Sequence, residues 1–537
     1  MTTSQTRVLI SGGGPAGLSA AVELATRGIE CVIVEPRAEP TRLRPRAKTL
    51  NMRTLEHVRR WGLESELRSR ALLPTDWSSE VSFMTTLLGT EINRFSGVLG
   101  LTDSDDLSPV LGQQLPQYVF EDLLRDVVAG LPSCTMLIGS RVMGLSQDDA
   151  SVTVRVADPS GRISDISADY VIGADGARSV VREAIGARYV GTRALQPNVG
   201  VVFRDPGLAA CLSVPPAVQT WLINDRVPGL AGPVDRDGLW WLIAFGVDGT
   251  APDLDVKALV HGAVGSDRDI EIVATDPWTA RMELADRCRA GRVFLAGDAA
   301  HLNPPFGGHG LNTGIGDAVD LGWKLAAVVD GWGGDHLLDS YEQERRGLQQ
   351  RVIDEASANM SVLSTNLLRA DLDAPGPAGD AARRALAKEI EATKRREYFS
   401  TDLVLGHRYD ASAILPSPAG DSGQHDWQRR ACPGRRLPHA WVVDGTSTLD
   451  LIGPQYTLLV LDPVAIDGIV DAAAATEVPL RVERHTDADL ARRLGAAIIL
   501  VRPDQIVAWC GAGPPGDPDA LLRVVAGRGQ PTAVPTR

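Results

Sequence analysis

A β-prone run, Arg7–Gly12, breaks into Gly12-Gly13-Gly14-Pro15-Ala16-Gly17, turns helical over Pro15–Arg27, and reaches a short buried strand, Cys31–Glu35. Few patterns constrain a fold so tightly. In a G-x-G-x-x-G turn, Gly12 permits the bend, Gly14 lets a pyrophosphate approach the backbone, and Gly17 lets the helix pack close to the sheet. The free N–H groups in the first turn of the helix that Pro15 and Ala16 open then face the negative charge. Glu35 stands 18 residues past Gly17, where a carboxylate reaches both ribose hydroxyls. The unit predicts a dinucleotide-binding domain. A second match, Gly511–Gly516, holds two prolines and has no second strand after it. It predicts a turn ahead of a helix near Asp519–Val525.

At 537 residues the chain exceeds one ordinary core. Its 44% apolar and 23% charged residues are those of a soluble globular protein. A net charge of −14 argues against nucleic acid as a partner, which needs a basic surface. No apolar run is long enough to span a bilayer, and the strand at Arg7 leaves no room for a signal peptide. Six dispersed cysteines without a C-x-x-C pair predict reduced thiols. Together these features predict a cytoplasmic protein.

Further along, Gln117–Leu131 is helical in period, Asp169–Gly173 is a buried strand, and residues 190–285 are β-rich, with Gly238–Gly246 the clearest strand. Residues 76–112 carry no clear period. Arg292–Ala296 returns as a strand, a long helix follows from about Thr313 to Val329, and Arg383–Arg396 is a charged helix. The Pro/Gly/Ser-rich stretch Leu415–Gly423 precedes a smaller α/β unit.

Three further segments carry chemistry: Asp175-Gly176-Ala177-Arg178-Ser179, Ala296-Gly297-Asp298-Ala299-Ala300-His301, and Pro304-Pro305-Phe306-Gly307-Gly308-His309-Gly310-Leu311-Asn312. With the first glycine turn, they resemble the D-G and G-D motifs of class A FAD-dependent aromatic hydroxylases, the para-hydroxybenzoate and phenol hydroxylase family. The C-terminal segments Pro433–Gly445 and Ala496–Trp509 resemble the thioredoxin-like domain of its longer polyketide-hydroxylase members, here without a redox cysteine pair.

The resemblance implies an α/β fold: a discontinuous Rossmann-type FAD domain (1–75, 113–185 and 286–400), a β-sheet substrate domain (76–112 and 186–285), and a thioredoxin-like unit (415–537). It assigns Glu35 and Arg37 to the adenosine side, Gln117 and Asp298 to the ribityl chain, and Asp175 and Gly297 to the sheet edge near FAD. The backbone of Gly308, Gly310, Leu311 and Asn312 faces the flavin pyrimidine, and Pro305 and His309 stand on the flavin-facing loop with no acid or base role assigned. Arg46, in Arg44-Pro45-Arg46-Ala47-Lys48, matches the arginine associated with flavin movement, and Arg178 and Arg182 are candidates for NAD(P)H. His301 and His309 lack the carboxylates or thiols that would complete a metal site.

The implied reaction uses non-covalent FAD, NADPH or NADH, and O2. A flavin C4a-hydroperoxide hydroxylates a phenol or aromatic polyketide, or, on the same scaffold, performs Baeyer–Villiger insertion or epoxidation. A phenolate is the better nucleophile, but no residue in the sequence declares itself as the group that favours it. Trp221, Trp241 and Phe245 are candidate pocket walls, and family precedent favours a homodimer.

Overall fold

The strand Ser4–Ser11 owes its central place to Val8, Leu9 and Ile10, all fully buried, as strands covered on both faces require. In the computed structural model, which describes residues 4–42, 48–102, 105–415, 427–442 and 445–529, it lies inside a mainly parallel sheet. The order is Arg289–Ala290, Val293–Leu295, Ile163–Gly173, Ser4–Ser11, Cys31–Glu35, Cys134–Ile138. Segments from both ends of the first 300 residues are thus interleaved. Ser11 pairs with Gly173 and with Val34, and Gly173 with Leu295. The strands therefore end level, and the Gly12 turn, Glu35, Asp175 and the Gly297–Asp298 turn all leave one edge, where open α/β sheets bind ligands.

A separate seven-stranded sheet runs in the order Glu271–Thr279, Pro197–Arg204, Leu239–Phe245, Gly229–Pro233, Gln219–Leu222, Glu80–Met84, Glu91–Ser96. Residues 76–112, unreadable by period, supply its last two strands. A small sheet of Tyr189–Thr192, Met282–Ala285 and His301–Leu302 joins the two regions. The C-terminal unit has four strands in the order Leu480–Arg484, Tyr456–Val460, Ile498–Val501, Val507–Gly511, the first pair parallel and the others antiparallel. Helices Asp467–Ala475, Ala488–Leu494 and Pro518–Val525 complete a thioredoxin-like order. Gly511–Gly516 forms the expected turn ahead of that last helix.

Three helices depart from the sequence reading. The long helix is His309–Val329, starting four residues earlier than its apolar period because Gly308, at φ +68°, bends the chain into it. Asp335–Met360, 26 residues long, shows no clean stripe because its inward face carries Glu344, Arg345, Gln349 and Asn359. Pro377–Tyr398, grouped by sequence with the dinucleotide fold, packs Leu386, Ile390 and Tyr398 into the aromatic core of the seven-stranded sheet.

Buried ion pairs tie the C-terminal unit to the rest. Arg502 binds Asp320, Glu344 and its neighbour Asp504, and Lys324 binds Asp320 and Glu344 from the other side. Arg436 and Arg53 share Glu56, which they hold below the usual carboxylate range against its desolvation.

Candidate active site

At the sheet edge the glycines do different work. A Cβ on Gly17 would stand 1.9 Å from the Gly12 carbonyl oxygen, and one on Gly12 2.4 Å from that of Ala174. Those glycines let backbone touch backbone. A Cβ on Gly14 would meet nothing within 4 Å, so the space beyond it is open. The helix that follows has Pro15 at its start and no acidic residue in its first turn. No side chain of its own occupies the positive end of its dipole.

Glu35 accepts from the Gly13 N–H at 2.6 Å and from the Arg37 backbone and guanidinium, both at 2.8 Å. Arg37 also lies 3.8 Å from Glu121, which accepts from Gln117 at 2.6 Å. Glu35, Arg37 and Gln117, separate in sequence, thus form one polar edge. Asp175 accepts from the Val181 N–H at 3.2 Å, while its buried Oδ1 has no hydrogen-bond partner among the described residues. Burial pushes its carboxyl above the usual range.

The Gly297–Asp298 turn abuts this edge. A Cβ on Gly297 would come 3.1 Å from that of Ala16, and one on Gly314 3.1 Å from the Gly297 Cα. Asp317 holds the turn, accepting from Gly297 N–H at 3.1 Å, His301 at 2.8 Å and Arg345 at 2.8 Å. Gly297 and Ala299 are buried while Asp298 between them is exposed. His301 is therefore a buttress of this turn.

Pro305 is exposed on the loop, and Phe306 turns inward to stack 6.0 Å from Trp221. Asn312 accepts from Asn51 N–H and Thr54 Oγ1 and donates to Thr49 and Gly308 carbonyls. Its side chain is fully used in joining the helix start to residues 49–54. His309 is not on the loop's open face. It is buried with Nε2 turned toward Gly307, and desolvation lowers its pKa to about 4, so it is a neutral imidazole. With His57 and His407 it lines a cavity of about 80 Å³, and each ring has one nitrogen without a partner among the described residues.

Other expectations shift. Arg182 is spent on the Ala177 and Ala299 carbonyls and lies 3.8 Å over the Tyr189 ring, so it braces the turn, while Arg178 is exposed. Arg44 and Arg46 lie outside the described residues. Trp221, Trp241 and Phe245 are buried members of one aromatic core with Phe306. A cluster that sequence reasoning missed stands behind it. Lys394, fully buried, lies 3.8 Å over the Trp221 ring and donates to Glu397 at 2.9 Å, and the Trp221 indole donates to the Tyr398 hydroxyl. The run Lys394–Tyr398 looks solvated in sequence, and only its i, i+3 charge pair gave a signal.

The residues present fit FAD. The space beyond Gly14 suits a pyrophosphate, the Glu35 edge a ribose, and the partnerless Asp175 oxygen and exposed Asp298 carboxylate suit hydroxyl donors.

Comparison with known proteins agrees. A family model described as an FAD binding domain matches residues 5–356, and one described as the C-terminal region of aromatic-ring hydroxylases matches 430–528. A putative polyketide hydroxylase of Streptomyces halstedii is 34% identical, with 95% of this chain and 94% of that protein covered. The 2,4-dichlorophenol 6-monooxygenase of Cupriavidus pinatubonensis is 31% identical, with 98% and 97% covered. The structure of the rebeccamycin biosynthetic enzyme RebC with reduced flavin superposes with a TM-score of 0.90 at 33% identity, covering 98% of this chain and 100% of that one.

Proposed function

We propose a reaction from one premise: this chain belongs to the FAD-dependent aromatic-ring hydroxylases and is a monooxygenase of that type. The reaction is hydroxylation of a phenol or hydroxylated polycyclic aromatic, with NADPH or NADH as electron donor. The observation that carries it is the convergence at one sheet edge of Gly12–Gly17, Glu35, Asp175 and Gly297–Asp298, with the helix that the Gly308–Asn312 turn opens packed on Gly297, and with Phe306 of the same loop seated in an aromatic core.

In this reading the helix at Pro15 and the Gly14 backbone bind the FAD pyrophosphate, Glu35 and Arg37 the adenosine ribose, and Gln117 and Asp298 the ribityl hydroxyls. The N–H groups of Gly310–Asn312 face the pyrimidine edge, where the helix start favours negative charge. When bound, FAD supplies the redox chemistry, accepting electrons from NAD(P)H and activating O2. The chain's own part is to orient and to exclude water. Asn312 locks the turn to residues 49–54, Asp317 and Arg182 brace the Asp298 turn, and Phe306, Trp221 and Phe245 give an apolar wall.

Anaerobic stopped-flow reduction of the holoenzyme by NADPH, with and without phenols and hydroxyanthraquinones, tests this. Reduction accelerated by one aromatic class, followed by incorporation of one labelled oxygen into its ring, is expected. Oxygen entering a ring C–C bond or an alkene instead would move the assignment to Baeyer–Villiger insertion or epoxidation. Failure of NADPH and NADH alike to reduce bound FAD would overturn self-sufficient turnover.

A further inference from the structure

Lys48 is one of only five lysines in the chain, and its surroundings differ from those of Lys324 and Lys394, each paired with a buried carboxylate. Its backbone carbonyl accepts from the Leu115 N–H, in line with the short pairing of Thr49–Leu50 with Gln113–Gln114. The neighbouring Thr49 abuts Gly308, 3.3 Å from where a Cβ there would stand, and its carbonyl accepts from Asn312. From this position beside the flavin turn, the side chain crosses to the seven-stranded sheet. There Nζ donates to the Pro233 carbonyl at 2.6 Å and lies 5.1 Å from the Trp241 ring centre.

An ammonium has three protons to donate. This one has a single acceptor, and no carboxylate lies within ion-pair distance among the described residues. The strands around it, Gly229–Pro233 and Leu239–Phe245, are apolar apart from their backbone, and His309 on the adjoining loop is neutral. The amine is desolvated, while the residue as a whole is half-buried. Desolvation without a counter-ion lowers its pKa to about 7, so the free amine is populated at neutral pH.

We propose that Lys48 is the group that ionises the substrate: its amine takes the proton of a bound phenol and holds the resulting phenolate. The phenolic O–H bond breaks, its electron pair stays on oxygen, and a new N–H bond forms on Nζ. Two neutral groups become an ammonium–phenolate pair, which Trp241 and the Pro233 carbonyl support on the cationic side. The phenolate then carries the electron density that ring hydroxylation requires. This assignment rests on the aromatic-substrate reading above, and it selects substrates with a free hydroxyl over their ethers.

The test uses the FAD-loaded, full-length enzyme with para-nitrophenol and alizarin, whose ionised forms have their own visible absorption, and their methyl ethers as controls. Titrating the bound dyes is expected to show ionisation displaced to lower pH by about one unit or more in the wild type. The displacement is lost in Lys48→Met, and Lys48→Arg, a fixed cation, restores it in part. Ether binding is the same in all three. An isotopic methyl label on the lysines needs no folded variant. One resonance should titrate near neutral pH and move to higher pH when the phenol binds. Dye ionisation equal in wild type and Lys48→Met with binding intact, or no neutral-titrating lysine, overturns the role of Lys48 alone. Wild type that binds neither phenols nor ethers overturns the aromatic reading itself, and this assignment with it.

Discussion

Gly14 and Gly17 sit three residues apart in one turn and answer to different demands. Gly17→Ala forces a methyl group into the Gly12 carbonyl. It should destabilise the protein by about 1–3 kcal/mol and abolish FAD retention, measured by melting and by flavin content after purification. Gly14→Ala meets no protein atom, and Gly14 has an ordinary extended backbone at φ −83°. The apo-protein should melt as the wild type does, while FAD affinity falls at least tenfold by fluorescence titration. Equal effects of the two substitutions would show that Gly14 serves packing. At this scale the turn was legible because tight backbone approach has one residue type as its solution. Lys48 was not. In sequence it belongs to a basic stretch, and the carbonyl and ring that surround its amine, at Pro233 and Trp241, stand some 190 residues away.

Elements bring histidines together that sequence keeps apart. His57 comes from Met52–Arg60, His309 from the start of His309–Val329, and His407 from the segment after Thr401–Val404, yet all three border one cavity. Burial lowers the pKa of each, that of His309 to about 4. Their ordinary value is about 6.5 in the unfolded chain. Below that pH the unfolded chain binds protons that the native protein refuses, so stability is lost as pH falls from about 6.5 toward 4. Each histidine contributes up to about 1.4 kcal/mol per pH unit. Denaturant melts between pH 7 and 5 should show this loss, and His309→Gln should make it shallower by about one histidine's share. An unchanged slope would mean that the ring is protonated in the native state. The helix Asp335–Met360 escaped notice for a related reason. A helix whose inner face binds charges loses the apolar stripe by which helices are read.

Across the whole molecule, the C-terminal unit is held by charge. Around Arg502 and Lys324 stand three carboxylates, Asp320, Glu344 and Asp504, all buried. Arg502→Met leaves an excess of buried negative charge, which costs about 3–5 kcal/mol. It should lower the melting temperature and make the C-terminal unit more susceptible to limited proteolysis, releasing it as a fragment. Unaltered proteolysis would show that apolar contacts around Trp323 and Tyr456 hold the unit without the ion pairs.

By itself, the sequence determined the sheet, its glycine turn and the motifs for one cofactor, because each is a local demand of backbone geometry written in consecutive residues. Gly12–Gly17, Asp175 and Gly297–Asp298 leave the level strand ends together. Only the tertiary structure decided how the strand ends align, and that His309 faces inward while Asn312 serves as a brace. It also decided which buried charges find partners, and that Lys48 meets a carbonyl and an indole ring but no carboxylate among the described residues. Desolvation and pairing depend on what distant segments bring to a point, and no local pattern records that.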